Sequence, residues 1–241
     1  PDGRIVFALP YEGGFTLIGT TESEYTGNLA HPAITAAEQA YLLDMANRYF
    51  QRDLGVSDVV WTFAGLRPLL AASMDEPKSV TRDYVIDFDR SGPPLLSMYG
   101  GKLTTYRRLA EQVVDMLTPA LGLASKAWTA ATPLPGGDMP DAGFGGFLAQ
   151  MRVRYHWLAA ALLHRYARAY GTRMNRLLAG CSNVADLGEE VLPGLYAQEV
   201  HYLRAAEFAR TAQDILYRRS KLGVHLAAGS EQVLDEWLAQ H

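Results

Sequence analysis

The sequence has 241 residues, 49% of them hydrophobic and 20% charged, which is enough to bury one large core or two small ones. A net charge of −4 without a basic block argues against a nucleic-acid-binding surface. One cysteine excludes an intrachain disulfide, six scattered histidines lack the spacing of a zinc site, and no apolar run approaches the roughly 18 residues that span a bilayer. Because the chain begins with Pro1 rather than Met, we expect a fragment or a processed chain.

Two β-rich runs near the start of the chain predict an antiparallel hairpin. Residues 4–9 and 15–21 carry many β-branched and aromatic side chains, and the loop between them contains two glycines. Further on, Thr35 precedes Glu38 at the spacing of a capping box. The apolar stripe behind this pair predicts a helix over 36–52.

Two more strands are predicted before residue 90. The apolar run over 59–70 predicts a strand that ends, or lies at a sheet edge, at Pro68, because proline cannot donate a ladder hydrogen bond. Residues 81–88 alternate well enough to predict another strand, and a turn at 90–94 leads into the next one. The first half therefore mixes antiparallel strands with helices.

The stretch 95–118 predicts a strand, a glycine turn and a helix in direct succession. Gly100 and Gly101 follow a short apolar run, and apolar residues then recur at steps of three and four until Pro119. The unpaired N–H groups of a helix start, together with the charge of Lys102, favour a site for an electron-rich ligand group. An ordinary strand-to-helix connection with a surface lysine is the alternative.

Helical periodicity dominates the chain after a turn-rich linker that ends at residue 141. Gly171 and Gly180 lie where helix C-terminal caps are expected. Helices are predicted over 147–155, 158–170, 175–178, 196–206, 209–218 and 231–238. The glycines of residues 143–146 follow no strand, so we reject them as a dinucleotide-binding loop. Arginines are frequent in this half and favour solvated helix faces, with a contact to an anionic membrane surface as the alternative.

Three cations lie at strand ends or at the glycine turn and are candidates for an anion-binding site. Arg67, Arg82 and Lys102 together could clamp a phosphate or carboxylate, with forked guanidinium geometry and an ammonium point charge. The alternative is that the arginines pair with carboxylates such as Asp83. Apolar neighbours predict that Arg67 is partly buried, and a buried guanidinium needs a partner.

Seven short segments, in this order and spacing, strongly resemble the FAD-dependent (respiratory, aerobic) glycerol-3-phosphate dehydrogenases. They are residues 18–22, 61–69, 81–84, 100–107, 134–137, 165–171 and 186–188. The resemblance covers essentially the whole chain and corresponds to the C-terminal half of such an enzyme. The family's GxGxxG motif for the FAD pyrophosphate is absent from this sequence.

The resemblance implies an α+β fold that is part of an FAD-dependent oxidoreductase. Residues 1–120 would form the end of the FAD domain with the antiparallel substrate-binding sheet. Residues 121–141 would be a linker, and residues 142–241 an all-α C-terminal domain that we expect to fold independently.

The resemblance also implies roles for individual residues. Arg67 would be catalytic and would bind substrate over the flavin, and Arg82 and Lys102 would help to hold glycerol 3-phosphate. Cofactor contacts would come from residues on the glycine turn, namely Gly100, Gly101, Lys102, Leu103 and Thr104. No metal site is expected and no general base is evident. We expect that the isolated chain neither retains FAD nor turns over substrate, since it holds one wall of the site.

The implied reaction is oxidation of glycerol 3-phosphate to dihydroxyacetone phosphate, with electrons passing to FAD and then to a quinone. The implied setting is a homo-oligomer in the cytoplasm, in peripheral contact with the inner face of the cytoplasmic membrane. A glycerol-3-phosphate oxidase, or a related flavin oxidase, is the closest alternative. A second alternative is that the C-terminal half is a non-catalytic helical module for interaction or membrane docking.

Overall fold

A computed structural model describes residues 4–67, 83–124 and 126–241. The contacts divide the chain into two compact units, Pro1–Thr132 and Pro133–His241. We call them the amino-terminal unit and the helical unit. Strands and helices are both present and the strands pair in antiparallel hairpins, so the fold is α+β.

Two hairpins and two helices form the described part of the amino-terminal unit. The first hairpin pairs β1 (Phe7–Tyr11) with β2 (Phe15–Gly19), and the second pairs β3 (Val85–Asp89) with β4 (Leu95–Tyr99). The helices are α1 (Ala36–Asn47) and α2 (Tyr106–Leu117). Both hairpins confirm the antiparallel pairing that the sequence pattern predicts.

Helix α1 starts where its capping box predicts and ends earlier than its apolar stripe predicts. The Thr35 hydroxyl accepts the Glu38 N–H, and the Glu38 carboxylate accepts the Thr35 N–H at 2.9 Å. The helix ends at Asn47. The Asn47 side-chain amide donates to the Leu54 carbonyl and its oxygen accepts the Leu54 N–H, and these bonds favour a turn in place of further helix. The predicted continuation to residue 52 is therefore wrong.

The strand predicted over 59–70 is absent from its described part. Residues 59–67 are without regular secondary structure, although Trp61 and Phe63 stack with ring centroids 5.0 Å apart. β-rich residues form a strand when a neighbouring strand supplies hydrogen bonds, and the described hairpins offer these residues none. Pro68 and the rest of the prediction lie outside the described residues.

Five α-helices and a small hairpin form the helical unit. The helices are α3 (Phe144–Arg154), α4 (Ala160–Tyr170), α5 (Met174–Leu177), α6 (Ala197–Ala206) and α7 (Ser230–Gln240). The hairpin pairs β5 (Glu190–Leu192) with β6 (Leu195–Tyr196), an addition to the all-α pattern that the sequence predicts. The helix predicted over 209–218 is a π-helical turn, Asp214–Arg219, preceded by two α-helical residues.

A continuous apolar core holds the helical unit together. Its fully buried large side chains are Tyr166, Phe147, Leu163, Met174, Leu177, Leu178, Leu187, Leu195, Leu203, Ile215, Leu216 and Leu234. Every helix of the unit contributes to this core, and so does the hairpin. In the described part of the amino-terminal unit, by contrast, Ala46 is the one buried hydrophobic residue.

A buried ion pair crosses this core. Arg165 donates to both carboxylate oxygens of Glu199 at 2.6 Å and to the Gly194 carbonyl at 2.6 Å, and the Tyr170 hydroxyl also donates to Glu199. Glu199 is completely buried. Burial of the Tyr170 hydroxyl, together with the charge of Glu199, raises the pKa of Tyr170 well above its usual value. Two of these four residues, Arg165 and Tyr170, belong to 165–171, a segment that carries the family resemblance, and their described contacts are structural.

The segment before α3 crosses the end of α4 backbone to backbone. The Thr172 N–H donates to the Gly136 carbonyl at 3.1 Å. A Cβ on Gly171 would lie 1.9 Å from the Gly136 oxygen, and a Cβ on Gly136 would lie 2.5 Å from the Tyr170 oxygen. Both glycines also have positive φ, so the crossing excludes every other residue type at these two positions.

Candidate functional site

The glycine turn, residues 100–104, joins β4 to the helical segment that follows. Gly100 and Gly101 have φ values of 72° and 105°, a region that side chains with a Cβ disfavour. Lys102 precedes a single 3-10 turn, Leu103–Thr105, and α2 then begins at Tyr106. The sequence predicts this order of strand, glycine turn and helix, and the structure confirms it.

The side chains of this turn are open to solvent. Lys102 and Thr104 are exposed, and Leu103 is 87% exposed. The Thr105 hydroxyl donates back to the Lys102 carbonyl at 2.9 Å, so it closes the turn instead of facing a ligand. Gly100 and Gly101 expose backbone without side chains, and Lys102 adds an exposed positive charge. A flat anionic group can therefore bind against this surface.

Arg67 is the last described residue of the irregular stretch 59–67, and it pairs with Glu22. Its Nη1 atom is 2.8 Å from Glu22 Oε1, and the two side chains are 54% and 48% exposed. The predicted partial burial of Arg67 is therefore wrong for the described chain, because Leu66 beside it is itself exposed. The carboxylate partner is 45 residues away along the chain, and it is not the Asp83 that sequence proximity suggests.

A cluster around Glu38 holds the residues on either side of Glu22. Thr21 Oγ1 and Ser23 Oγ donate to Glu38 Oε1 at 2.9 and 3.1 Å, and the Thr35 hydroxyl donates to Oε2 at 2.8 Å. Hydrogen bonds from the Thr35 backbone and hydroxyl lower the pKa of Glu38 to about 2. We call this arrangement the Glu38 cradle.

The predicted site residues are placed separately by the structure. Arg67 is paired with Glu22 and Lys102 lies on the glycine turn, and the described contacts include none that joins these two places. Arg82 lies outside the described residues. Glu22 and Glu38 were missed by reasoning on side-chain chemistry. The only signal for Glu22 is its presence at the end of segment 18–22, and the capping box pointed to a structural role for Glu38.

Comparison with protein families divides the chain in two. Residues 1–107 match the FAD dependent oxidoreductase family, and residues 127–239 match the C-terminal domain of alpha-glycerophosphate oxidase. The chain is 48% identical over 239 residues to the glycerol-3-phosphate dehydrogenase of Pseudomonas aeruginosa, which covers 98% of the chain and 46% of that relative. It is 41% identical over 242 residues to the aerobic glycerol-3-phosphate dehydrogenase of Escherichia coli, covering 100% of the chain and 48% of the relative.

The chain is therefore similar, over nearly its whole length, to proteins named glycerol-3-phosphate dehydrogenase, and its two parts match an FAD dependent oxidoreductase family and a C-terminal domain family. The match also extends to the D-erythritol 1-phosphate dehydrogenase of Brucella abortus, at 41% identity over 237 residues, 98% of the chain and 47% of that relative. The chain spans about half the length of these curated relatives. Across the described ranges, every helix is too short or too polar to cross a bilayer.

Proposed function

We propose that the chain is the C-terminal half of an FAD-dependent dehydrogenase that oxidises sn-glycerol 3-phosphate to dihydroxyacetone phosphate. The observation that carries the proposal is the identity of 41–48% to two glycerol-3-phosphate dehydrogenases over nearly the whole chain. Within the chain, Arg67, Arg82 and Lys102 supply the cations that a phosphorylated substrate needs. The glycine turn supplies the backbone surface for the flavin.

The described residues fit such a cofactor at the glycine turn. Gly100 and Gly101 have no side chains, their positive φ disfavours any residue with a Cβ, and Lys102 places a positive charge beside them. The chemistry that FAD would supply there is acceptance of a hydride from the substrate and onward transfer of the electrons. Gly100, Gly101, Lys102, Leu103 and Thr104 would contact it, and the phosphate-binding loop would come from the other half of the enzyme.

The chain's own cations would bind and orient the substrate. Lys102 and Arg82 would hold the phosphate, and Arg67 would lie at the alcohol that is oxidised. A guanidinium at that oxygen favours negative charge on it, which lowers the cost of releasing hydride from the carbon. Because Arg67 is more than half exposed in the described chain, its fork is open to a ligand.

We propose a quinone as the electron acceptor, with the enzyme acting as a homo-oligomer on the inner face of the cytoplasmic membrane. Stopped-flow reduction of the full-length flavoprotein by glycerol 3-phosphate, followed by reoxidation with a soluble quinone or with oxygen, tests the reaction and the acceptor. Rapid reoxidation by oxygen with release of peroxide would favour an oxidase. D-Erythritol 1-phosphate should be compared as substrate, because one relative at 41% identity is named for it.

The substitution Arg67→Lys tests the site in the full-length enzyme. Lysine keeps the charge and loses the planar fork, so kcat/KM per bound flavin should fall roughly ten- to a thousand-fold, the range for a lost charge-assisted contact. Flavin content and melting temperature should change little. Arg48→Lys is the matched control, since Arg48 is also 54% exposed and pairs with Asp44 on α1. Equal, small effects of both changes would remove Arg67 from the site.

A further inference from the structure

We propose that Glu22 is a positioning residue for Arg67, held in place by the Glu38 cradle. The inference rests on the proposed function, and it concerns a residue that the proposed substrate contacts do not include. Its basis is a chain of described contacts that runs from the start of α1 to the Arg67 guanidinium.

The described residues before Arg67 give its backbone little support. Residues 59–67 form no strand, so no hydrogen-bonded strand ladder holds the backbone on the N-terminal side of Arg67. An arginine in this setting has many rotamers, and ordering such a side chain costs free energy. The contact from Nη1 to Glu22 Oε1 at 2.8 Å restricts the guanidinium and engages one edge of the fork. The other nitrogens remain available for an oxygen of the substrate.

Glu22 can restrict Arg67 because Glu22 is itself restricted. Its two neighbours, Thr21 and Ser23, both donate to the same oxygen of Glu38. Thr21 and Ser23, on either side of Glu22, are thus fixed to Glu38, while the Glu22 carboxylate contacts Arg67. Glu38 in turn is fixed by its hydrogen bonds with Thr35 at the first turn of α1.

The charge of Glu22 also has a consequence for the substrate. A carboxylate beside the arginine partly offsets the attraction of the site for an anion. Glu22 therefore favours correct orientation of Arg67 over tight binding of the phosphorylated substrate. We therefore expect loss of the Glu22 carboxylate to lower kcat without raising KM, whereas loss of a substrate-binding cation should raise KM.

The test is Glu22→Gln in the full-length holoenzyme, alone and combined with Arg67→Lys. The single change should lower kcat for glycerol 3-phosphate by about five- to fifty-fold, as for one lost charge-assisted hydrogen bond, without raising KM. Flavin content and melting temperature should stay at the wild-type values. In the Arg67→Lys background, Glu22→Gln should change kcat less than about twofold, because residues that act through one contact are not additive.

Two further variants sharpen the test. Asp44→Asn removes the carboxylate of the Arg48 pair, whose arginine is as exposed as Arg67, and should leave kcat unchanged. Thr21→Val combined with Ser23→Ala removes the two hydroxyl donors to Glu38 Oε1 and keeps Glu22, and it should lower kcat by about two- to fivefold.

Several results would overturn the inference. One is a kcat for Glu22→Gln equal to that of Asp44→Asn. Another is a fold-loss of kcat on Glu22→Gln that is as large in the Arg67→Lys background as in the wild-type enzyme. A third is a loss of kcat that parallels a loss of flavin content or melting temperature. An unchanged Arg67→Lys enzyme would overturn the proposed role of Arg67 and this inference together. A strongly impaired Arg67→Lys enzyme with a normal Glu22→Gln enzyme would overturn this inference alone.

Discussion

The two units of this chain differ in what they bury. The helical unit encloses a continuous core and an ion pair whose carboxylate is completely buried, whereas Ala46 is the one buried hydrophobic residue in the described part of the amino-terminal unit. Isolated two-stranded hairpins are marginal in water, and the strands in the described part of the amino-terminal unit form two of them. The helical unit therefore has a core of its own, whereas the candidate site lies on elements that bury little apolar surface in the described chain.

The largest expected effect is on folding of the separate units. Residues 133–241 expressed alone should be mostly helical and unfold cooperatively, because the core lies within this fragment. Residues 1–132 alone should show neither a cooperative melt nor stable secondary structure. Circular dichroism with urea titration measures both. A shorter fragment, 140–241, is the control for the backbone crossing at Gly136 and should unfold at lower urea. A cooperative transition for residues 1–132 would contradict the contrast between the units.

The next effect concerns the buried ion pair. Glu199→Gln leaves the Arg165 charge without its carboxylate inside the helical unit, and this should cost about 3–5 kcal/mol of unfolding free energy. Glu207→Gln is the matched control, since Glu207 pairs with Arg173 at 3.6 Å and both side chains are about one-third exposed. The control should cost about 1 kcal/mol or less. Urea unfolding of residues 133–241 measures the unfolding free energy of both variants. Similar losses of unfolding free energy would mean that burial does not determine how much these ion pairs contribute.

The smallest effect is local to the amino-terminal unit. Thr35→Ala removes the hydroxyl that caps α1 and bonds Glu38, and it should lower the local stability of this helix by about 0.5–2 kcal/mol. Hydrogen exchange followed by mass spectrometry in the full-length enzyme should show faster exchange for peptides that cover residues 36–47. Peptides from the helical unit should exchange at the wild-type rate, and faster exchange there would show that the units are coupled.

Local patterns were sufficient where one segment determines its own structure. The capping box predicted the start of α1, and glycine-containing turns predicted both hairpins of the amino-terminal unit. The end of α1 could not be predicted, because it depends on a bond between the Asn47 side chain and the backbone of Leu54. The π-helical turn at Asp214–Arg219 has the same apolar period as an ordinary helix over so short a length.

The candidate site was less accessible to sequence reasoning. Arg67, Arg82 and Lys102 were identified by their chemistry and by the family resemblance, and their roles remain predictions. The Arg67 contact to Glu22 joins positions 45 residues apart, which no local pattern can reveal. The exposure of Arg67 could not be predicted either, because apolar neighbours in sequence bury a residue only when another element covers them.

The crossing of Gly136 and Gly171 has a consequence for how such sequences change over time. The crossing is made by backbone atoms, and it excludes side chains because there is no room for a Cβ. It therefore does not depend on the substrate or on the electron acceptor. A lineage could exchange one phosphorylated alcohol for another without any pressure on these two positions. Gly136 and Gly171 therefore indicate how the chain is folded, and the crossing itself carries no information about a substrate.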